Sequence, residues 1–306
     1  MNILGNTFYD LIDLYSQNNL DETTVRNLKI LGQNNSILED AICIEGHDGD
    51  RHFYTTFPSL ETLSTIDERV LALSGNRATL RQNDTFSCLE EMSRQLINRF
   101  FYNDPTLTLD GCKSFASVLN ESNAHGQIVD AGGMGNSNTS IWFVTWSERH
   151  CYLAYPEGTK AGLLFEDMGS QRITDKDNAP YYALETKYSW SLGLIIKDWR
   201  YISRVANIDV RELETRKTEL YNFLRLAYNK LNMHFRRSDT AGGRQVIYCN
   251  RVILSALDEM ATGESHIKQY PGLKLNELDG AVVLTYKGIP IRDTDALLLT
   301  EERVST

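Results

Sequence analysis

The sequence predicts an α+β fold, and three observations support this prediction. Helix-like and strand-like segments are mixed along the chain without the regular strand–helix–strand repeat of a doubly wound sheet. The stretch from Ala131 to Asp209 is rich in aromatic residues and in the alternating patterns typical of strands. The chain has 306 residues, of which 42% are hydrophobic, enough for one large domain or two closely packed ones with a substantial core.

The N-terminal segments combine helical and strand patterns. Residues 1–20 place scattered apolar anchors in a polar background, which favours a short amphipathic helix or an arm that packs on another surface. From Asp21 to Leu38 apolar residues recur at mostly helical spacing, so we predict a helix that is interrupted near Gly32. The segment from Cys43 to Phe57 alternates around a GHDGD turn, which predicts a β-hairpin.

The clearest long helix is predicted from Thr85 to Tyr102. Four large apolar side chains recur on one face of it: Leu89, Met92, Leu96 and Phe100. Asp84 or Thr85 can cap its first turn, and the proline after Asn103-Asp104 ends it. The preceding segment, Pro58 to Leu73, shows no clear preference.

The middle of the chain is predicted to be mainly strands. IWFVTW and CYLAY, separated by SERH, predict a strand pair over Ile141–Tyr155. Strand patterns continue from Tyr181 to Ile196 and extend through Lys197–Ala206.

Helices and strands mix again toward the C-terminus. We predict helices over Arg211–Leu231 and Arg251–Met260, with a buried strand at Val246–Cys249 between them. The last predicted element is a hairpin over Ala281–Arg292 that turns at Lys287-Gly288.

Composition argues against several classes of protein. The net charge of −10 is unlike that of a sequence-independent nucleic-acid binder, which is usually basic. Five widely spaced cysteines without a CxxC motif favour buried thiols over a disulfide framework or a zinc site. The first residues lack the pattern of a signal peptide, and no apolar run is long enough to span a membrane, so we expect an intracellular setting.

Two glycine-rich segments resemble phosphate-binding loops but lack the rest of that motif. Gly132-Gly133-Met134-Gly135 follows no clear predicted strand, has no terminal Gly-Lys-Ser/Thr, and is followed by a strand instead of a helix. The same argument applies to Ala241-Gly242-Gly243-Arg244. We interpret both as connectors.

The acidic and histidine residues show no catalytic spacing. The pairs Glu166-Asp167 and Asp175/Asp177 could bind a hard cation, but acids beside Gly169 and Asn178 more often belong to solvated turns. The six histidines include no i, i+4 metal-binding pair, and no GxSxG nucleophile motif is present. We therefore nominate no catalytic, cofactor-binding or metal-binding residue. A hydrolase that uses the Glu166-Asp167 region with His150 is kept as an alternative hypothesis.

A cluster of basic and aromatic residues allows two interpretations. Lys197, Arg200 and Arg204 interleave with Trp199 and Tyr201. Such residues can stack on and neutralise single-stranded nucleic acid. They can equally form contacts between subunits, where arginine and aromatic residues are enriched.

Several blocks, taken together, resemble the major capsid proteins of epsilon-fifteen-like short-tailed phages, which have the Hong-Kong-97-type capsid fold. The blocks in chain order are ILGQNNSILEDAICIEG, LALSGN with the helix ending in RFFYND, DAGGMGNSNTSIWFVTW, YPEGTKAGLLFEDMG, YSWSLGLIIKDWRYISRVANID, GGRQVIYCNRVILSAL and LDGAVVLTYKGIPIRDTDALLLTEERV. They cover nearly the whole chain, and their order makes the set specific where each block alone is weak.

The resemblance implies a division into five parts. These are an N-terminal arm (1–45), an extended loop (46–72), a peripheral domain (73–205) with a spine helix at 85–102, an axial domain (206–290) and a C-terminal return segment (291–306). Between Phe57-Pro58-Ser59 and Ser74-Gly75-Asn76 the chain is shorter than the family pattern, so the resemblance implies a shortened extended loop.

The function implied by the resemblance is structural. The chain is expected to assemble with copies of itself into pentamers and hexamers of an icosahedral head that encloses double-stranded DNA without sequence specificity. Scaffolding, portal and decoration proteins are the implied partners, the virion is the implied location after assembly in the host cytoplasm, and no membrane or cofactor is expected. An encapsulin-like compartment shell of the same fold is the second alternative.

Overall fold

The computed structural model describes most of the chain from residue 36 onward. The described residues are 36–46, 59–104, 106, 113–120, 126–157, 159, 162–176, 178–231, 243–262, 270, 272–278 and 281–305. Residues 1–35, which include most of the implied arm and most of the helix predicted from Asp21, lie outside the described residues. The described residues form a mixture of helices and antiparallel and parallel strands, so the predicted α+β class is confirmed.

The elements are numbered here in chain order. The helices are α1 (Ser36–Asp40), α2 (Glu68–Leu73), α3 (Arg77–Tyr102), α4 (Phe115–Val118), α5 (Leu213–Lys230) and α6 (Arg251–Thr262), with a 3-10 turn at Trp199–Tyr201. The strands are β1 (Cys43–Gly46), β2 (Ser59–Asp67), β3 (Ile128–Asp130), β4 (Asn138–Trp146), β5 (Cys151–Pro156), β6 (Leu163–Thr174), β7 (Pro180–Ser191), β8 (Gly193–Ile196), β9 (Ile202–Asp209), β10 (Arg244–Cys249), β11 (Leu273–Leu278), β12 (Ala281–Tyr286) and β13 (Ile289–Asp293).

A seven-stranded sheet forms the centre, in the order β11-β12-β13-β10-β4-β9-β3. Strand β4 is buried along its whole length, which explains its continuous run of apolar and small polar residues. Alternate side chains of β4 face opposite sides: Trp142 and Trp146 belong to the hydrophobic cluster around α3, whereas Ile141 and Phe143 belong to the cluster around α5 and α6. The sheet therefore separates two apolar cores.

Helix α3 is longer than predicted, and its predicted start at Thr85 is wrong. It begins at Arg77, where the Asn76 side chain accepts a hydrogen bond from the Thr79 backbone N–H at 3.2 Å. The additional turns carry polar residues, so the apolar period alone does not reveal them. The four predicted inward residues are buried, and the predicted C-terminal end at Tyr102 is confirmed.

Two predicted hairpins contain real strands but the wrong partners. Strand β1 pairs in parallel with β5, with Cys43 opposite Leu153, whereas the second half of its predicted hairpin lies outside the described residues. Strands β4 and β5 are joined by a tight turn with one bridge between Ser147 and Cys151, yet they belong to different sheets. Strands β4 and β5 are both buried on two faces. Tertiary packing, and not closeness along the chain, therefore decides which strands pair with them.

The hairpin predicted at Lys287-Gly288 is confirmed. Strands β12 and β13 pair in antiparallel fashion, with Tyr286 opposite Ile289. Lys287 and Gly288 both have positive φ, 50° and 85°, which is the backbone of a tight two-residue turn. The helices predicted over Arg211–Leu231 and Arg251–Met260 are present as α5 and α6.

A second, three-stranded sheet has the order β2-β7-β6. Strand β2 occupies the interval where the resemblance implies a shortened loop, and its nine residues pair along β7 from Ser59 to Asp67. Helix α2 follows directly and leads into α3. The described part of the implied loop is therefore packed on the subunit's own sheet.

Candidate assembly surfaces

Of the two edge strands of the second sheet, β2 and β6, the longer and more exposed is β6. Strand β6 has twelve residues, pairs only with β7 among the described strands, and is buried only at its first residue, Leu163. An unpaired strand edge presents free backbone N–H and C=O groups to any chain that can add to it. We call this strand and its exposed side chains the β6 edge.

Large apolar side chains are exposed on the β6 edge. Leu164 and Phe165 are each 54% exposed, and Met168 is exposed beside them. Tyr182 on β7 and Leu63 on β2 are also exposed, so apolar side chains occur on all three strands of the sheet. Exposed apolar side chains beside an open strand edge are typical of a protein interaction surface.

Helix α3 holds this sheet in place through polar contacts. Arg81 Nη2 donates to Asp167 Oδ2 at 2.8 Å and to Thr186 Oγ1 at 3.3 Å. The hydrogen bond from Arg81 lowers the pKa of the Asp167 carboxyl, so it stays ionised and paired near neutral pH. A bulge between Asp167 and Gly169 interrupts the register here and bends β6 locally.

A second exposed group lies at the entrance to the long helix. In α2, Leu71 is buried against the subunit, whereas Leu73 is 88% exposed and Val70 is also exposed. Asp67 caps this helix by accepting from the Arg69 backbone N–H at 2.8 Å. The exposed side of α2 therefore continues the apolar character of the sheet that precedes it.

The C-terminal segment is fixed by a buried ionic network. Arg204 Nη2 donates to Glu301 Oε2 at 2.8 Å, and both side chains are 4% exposed. Tyr102 Oη donates to Glu301 Oε1 at 2.5 Å, and the Ser140 hydroxyl donates to Oε2. One carboxylate thus joins the chain end to α3, β4 and β9.

The glycine loop also helps to fix the C-terminal segment, and it is not a phosphate-binding loop. Strand β3 precedes it, contrary to the prediction, and β4 follows, so no helix N-terminus faces the loop. The Gly133 N–H donates to the Asn207 carbonyl at 2.8 Å, and a Cβ at Gly133 would lie 2.6 Å from that oxygen. The Asn207 side chain in turn pairs with the Val304 backbone through hydrogen bonds of 2.7 and 2.8 Å. The glycine is needed for close approach of backbone to backbone.

The basic and aromatic cluster is used within the subunit. Arg204 is buried against Glu301 and lies 4.7 Å from the Trp142 ring, so it cannot contact nucleic acid. Arg200 donates to both carboxylate oxygens of Asp198, and Lys197 lies 4.7 Å from the Tyr152 ring. Arg204 therefore fits neither the nucleic-acid interpretation nor the subunit-contact interpretation, because its partner is Glu301 of the same subunit.

The residues of the hydrolase hypothesis are on separate elements. Glu166 and Asp167 lie within β6 and not in a turn, whereas His150 lies in the turn before β5 and stacks on Tyr201 at 3.5 Å. Burial lowers the pKa of His150. Asp175 lies in the turn after β6, and Asp177 is outside the described residues. No group of three potential metal ligands occurs in the part of the chain that the structure describes.

Four of the five cysteines can be placed. Cys43, Cys151 and Cys249 are buried and Cys88 is partly buried, and all four are free thiols. Burial raises the pKa of Cys151 and Cys249, which keeps them protonated. In the described residues, no helix is both long and apolar enough to cross a membrane.

Sequence reasoning missed the two features that matter most here. The exposed Leu164 and Phe165 stand in a strand-like run, but the acids after them were interpreted as a turn. The Glu301 network joins residues that are between 97 and 199 positions apart in the sequence, so no local pattern contains it. The sequence around Glu301 gives no sign of this role, because its arginine partner is 97 positions away.

Comparison with known proteins identifies the family. The family model for the major capsid protein GP7 matches residues 53–305. A chain in the structure of bacteriophage Epsilon15 is 25% identical, with 100% of both chains covered and a TM-score of 0.65. The bacteriophage JBD30 capsid is 9% identical, with 92% of this chain and 97% of that chain covered and a TM-score of 0.48.

Two further comparisons complete these findings. The SrpI encapsulin complex from Synechococcus elongatus PCC 7942 is 10% identical over 50% of this chain and 74% of that chain, with a TM-score of 0.38. No curated protein sequence matches. Since the family match spans most of the chain and the Epsilon15 match spans all of it, the chain belongs to the major capsid protein GP7 family and is a phage coat protein.

Proposed function

We propose that this coat protein forms the pentamers and hexamers of an icosahedral head that encloses double-stranded DNA, and that it acts without a catalytic site. The observation that carries this proposal is the β6 edge, an open twelve-residue strand with Leu164 and Phe165 exposed. On a free subunit such a surface favours aggregation, whereas in an assembly a neighbouring subunit can cover it.

Ring formation follows from the kind of contact that an open edge makes. We propose that the β6 edge binds a different surface of the neighbouring subunit, so that the contact is head-to-tail. Head-to-tail contacts close into rings when the rotation between neighbours is right, and five- and six-membered rings tile a closed shell. We expect the same edge to be covered in both ring types.

We further propose the five-part division of the chain as arm (1–45), extended loop (46–72), peripheral domain (73–205), axial domain (206–290) and return segment (291–306). The separate apolar cluster around α5 and α6 supports an axial unit. The boundary between residues 205 and 206 falls within β9, so the two proposed domains share the central sheet. Strand β2, within the proposed loop, contributes to the sheet of the peripheral domain.

The negative net charge of the subunit is consistent with weak contact between the shell and the packaged DNA. With a net charge of −10, the inner wall of the shell is expected to contact DNA without sequence specificity and without strong attraction. Scaffolding, portal and decoration proteins are the proposed partners. Assembly in the host bacterial cytoplasm and residence in the virion complete the proposal.

Negative-stain electron microscopy of the purified recombinant protein, together with light scattering, tests the proposal. Closed shells, or rings of five and six subunits, are expected. A species that stays a monomer or dimer at high concentration, also with a co-expressed scaffolding protein, would contradict it. A uniform small oligomer with hydrolase activity would favour the alternative function instead.

The role of the β6 edge is tested by the variant Phe165→Lys. Because Phe165 is half exposed in the subunit, we expect normal expression and an unchanged melting temperature, but loss of rings and shells in micrographs. Met134→Lys is the matched control, since Met134 is 75% exposed and lies in the glycine loop, away from β6. Assembly by Phe165→Lys at the level of the control would exclude the β6 edge as a contact.

A further inference from the structure

A buried carboxylate fixes the first described segment to the rest of the subunit. Asp40 ends α1, and its side chain is 1% exposed. The segment that contains it, residues 36–46, also buries Ile37, Leu38 and Ile42 in the cluster around α3. We call this segment the arm root, because it is the C-terminal end of the proposed N-terminal arm (1–45) and joins that arm to the rest of the subunit.

Polar groups from two strands converge on Asp40. Arg244 Nη1, from β10, donates to the Glu39 carbonyl at 2.9 Å and to Asp40 Oδ1 at 3.3 Å. Tyr248, also from β10, donates through its hydroxyl to Asp40 Oδ2 at 3.3 Å. Arg292 Nε, from β13, lies 3.6 Å from the same oxygen. The arm root is therefore clamped to β10 and β13 by one side chain.

These contacts are long for a buried ion pair. Charge-assisted N–H···O bonds are usually about 2.7–2.9 Å, so each donor stabilises the carboxylate less than it could. Desolvation consequently outweighs Arg292 and Arg244, and it raises the pKa of Asp40 from 3.8 to about 6.

The other charged and polar groups near Asp40 come from α1, β4, β13 and α6. Glu39, on the same helix, adds to the increase of the Asp40 pKa. The carboxylate of Asp293 on β13 lies 3.5 Å from Arg251, and its carbonyl accepts from the Ser36 hydroxyl at 3.1 Å. From β4, Trp146 donates its indole N–H to the Tyr248 hydroxyl at 2.9 Å.

We propose that Asp40 is a proton-dependent clamp, in which docking of the arm root on β10 and β13 takes up a proton and is therefore tighter in acid than above neutral pH. The direction follows from linkage. The docked state holds its proton to higher pH than the undocked state does, so the stabilisation is complete below the ordinary pKa of 3.8 and is lost as the pH rises through about 6. Between pH 8 and pH 5 the docking equilibrium is expected to strengthen about tenfold.

The consequence for assembly rests on the proposed function of the arm, whereas the pH dependence of the clamp does not. A coat protein that holds its arm root less tightly above neutral pH can offer this segment to a neighbouring subunit as the pH changes. Because the clamp is measured on the unassembled subunit, failure of the clamp and failure of the proposed shell function are distinguishable.

Hydrogen exchange of the full-length subunit tests the clamp. Peptides covering residues 37–46 are followed by mass spectrometry from pH 5 to pH 8, and each rate is divided by the intrinsic exchange rate at that pH. The protection of these peptides is expected to fall about tenfold with rising pH, with a midpoint near 6. Unchanged protection over this range would overturn the proposal.

Three variants separate the clamp from general stability. Asp40→Asn is expected to remove the pH dependence of these peptides, and Glu91→Gln, in an exposed pair with Arg94, is expected to keep it. Arg292→Gln removes a charge that lowers the Asp40 pKa, so the midpoint should move to higher pH. This variant remains informative if Asp40→Asn does not fold. A midpoint that is unmoved in Arg292→Gln would show that another group titrates.

Discussion

Removal of the Glu301 carboxylate takes a shared acceptor from two buried groups, Arg204 and Ser140, and from the partly buried Tyr102 hydroxyl. The variant Glu301→Ala takes the acceptor from Arg204 Nη2, which lies 2.8 Å away, and from the hydroxyls of Tyr102 and Ser140. Because Arg204 is 4% exposed, its charge is largely shielded from water in the folded subunit. Breaking a buried ion pair from one side costs about 3–5 kcal/mol, and we expect a loss of that size in the free energy of unfolding.

Urea unfolding, followed by tryptophan fluorescence, measures this loss. Trp142 is a suitable reporter because Arg204 lies 4.7 Å from its ring. The double variant Arg204→Met with Glu301→Leu should recover most of the stability, since apolar residues of similar volume remove the unpaired charge together with its partner.

Two results would refute this reasoning. One is a loss below about 1 kcal/mol in Glu301→Ala, which would mean that the network is open to water. The other is a double variant as unstable as the sum of its single changes, which would mean that the two residues are not coupled. Glu91→Ala, which breaks an exposed pair with Arg94, is the matched control and should leave the unfolding midpoint unchanged.

Two further changes test the packing and the local structure. Gly133→Ala should destabilise the subunit by about 1–3 kcal/mol, because its Cβ would lie 2.6 Å from the Asn207 carbonyl, whereas Gly75→Ala has nothing within 4 Å and should have little effect in the same urea titration. Asn76→Ala should cost about 1 kcal/mol, because α3 loses its N-cap, and Asn76→Asp should retain the stability. A smaller melting-temperature change in Asn76→Ala than in Asn76→Asp would contradict the capping role.

Local patterns predicted the elements that local forces determine. The apolar stripe of α3 gave its buried face and its C-terminal end, because residues three and four apart share a helix face. The Lys287-Gly288 turn gave the β12–β13 hairpin, because that backbone turn forces the two strands together. The class of the fold followed from the mixture of such segments.

The start of α3 and the pairing of the buried strands could not be predicted in this way. The first turns of α3 are polar, and only Asn76 marks the true start. Strand β1 pairs with β5, about a hundred residues away, so its partner is chosen by the packing of Cys43 and Leu153 in the shared core. Continuous apolar strands carry no information about which neighbour lies on which side.

The candidate assembly surface shows the same limit. Leu164 and Phe165 are apolar, and a sequence interpretation assigns such residues to a core by default. Their exposure shows that neither face of the sheet is covered at these positions, and the sequence alone does not reveal which faces are covered. The family resemblance predicted the coat function correctly, but it did not identify the side chains that face a neighbour.

The distribution of charged and apolar groups in this subunit points to what assembly must supply. Its ions are paired inside: Glu301 with Arg204, and Asp40 with two arginines, at sites that need no second copy. Large apolar side chains are exposed at several places on the outside, including β6 and α2. Burial of their apolar area by a neighbour is favourable at about 25 cal/mol per Å² and requires no rearrangement of the internal ion pairs. The coat protein can therefore fold first and bind its neighbours afterwards, and the β6 edge is the surface that we propose for that contact.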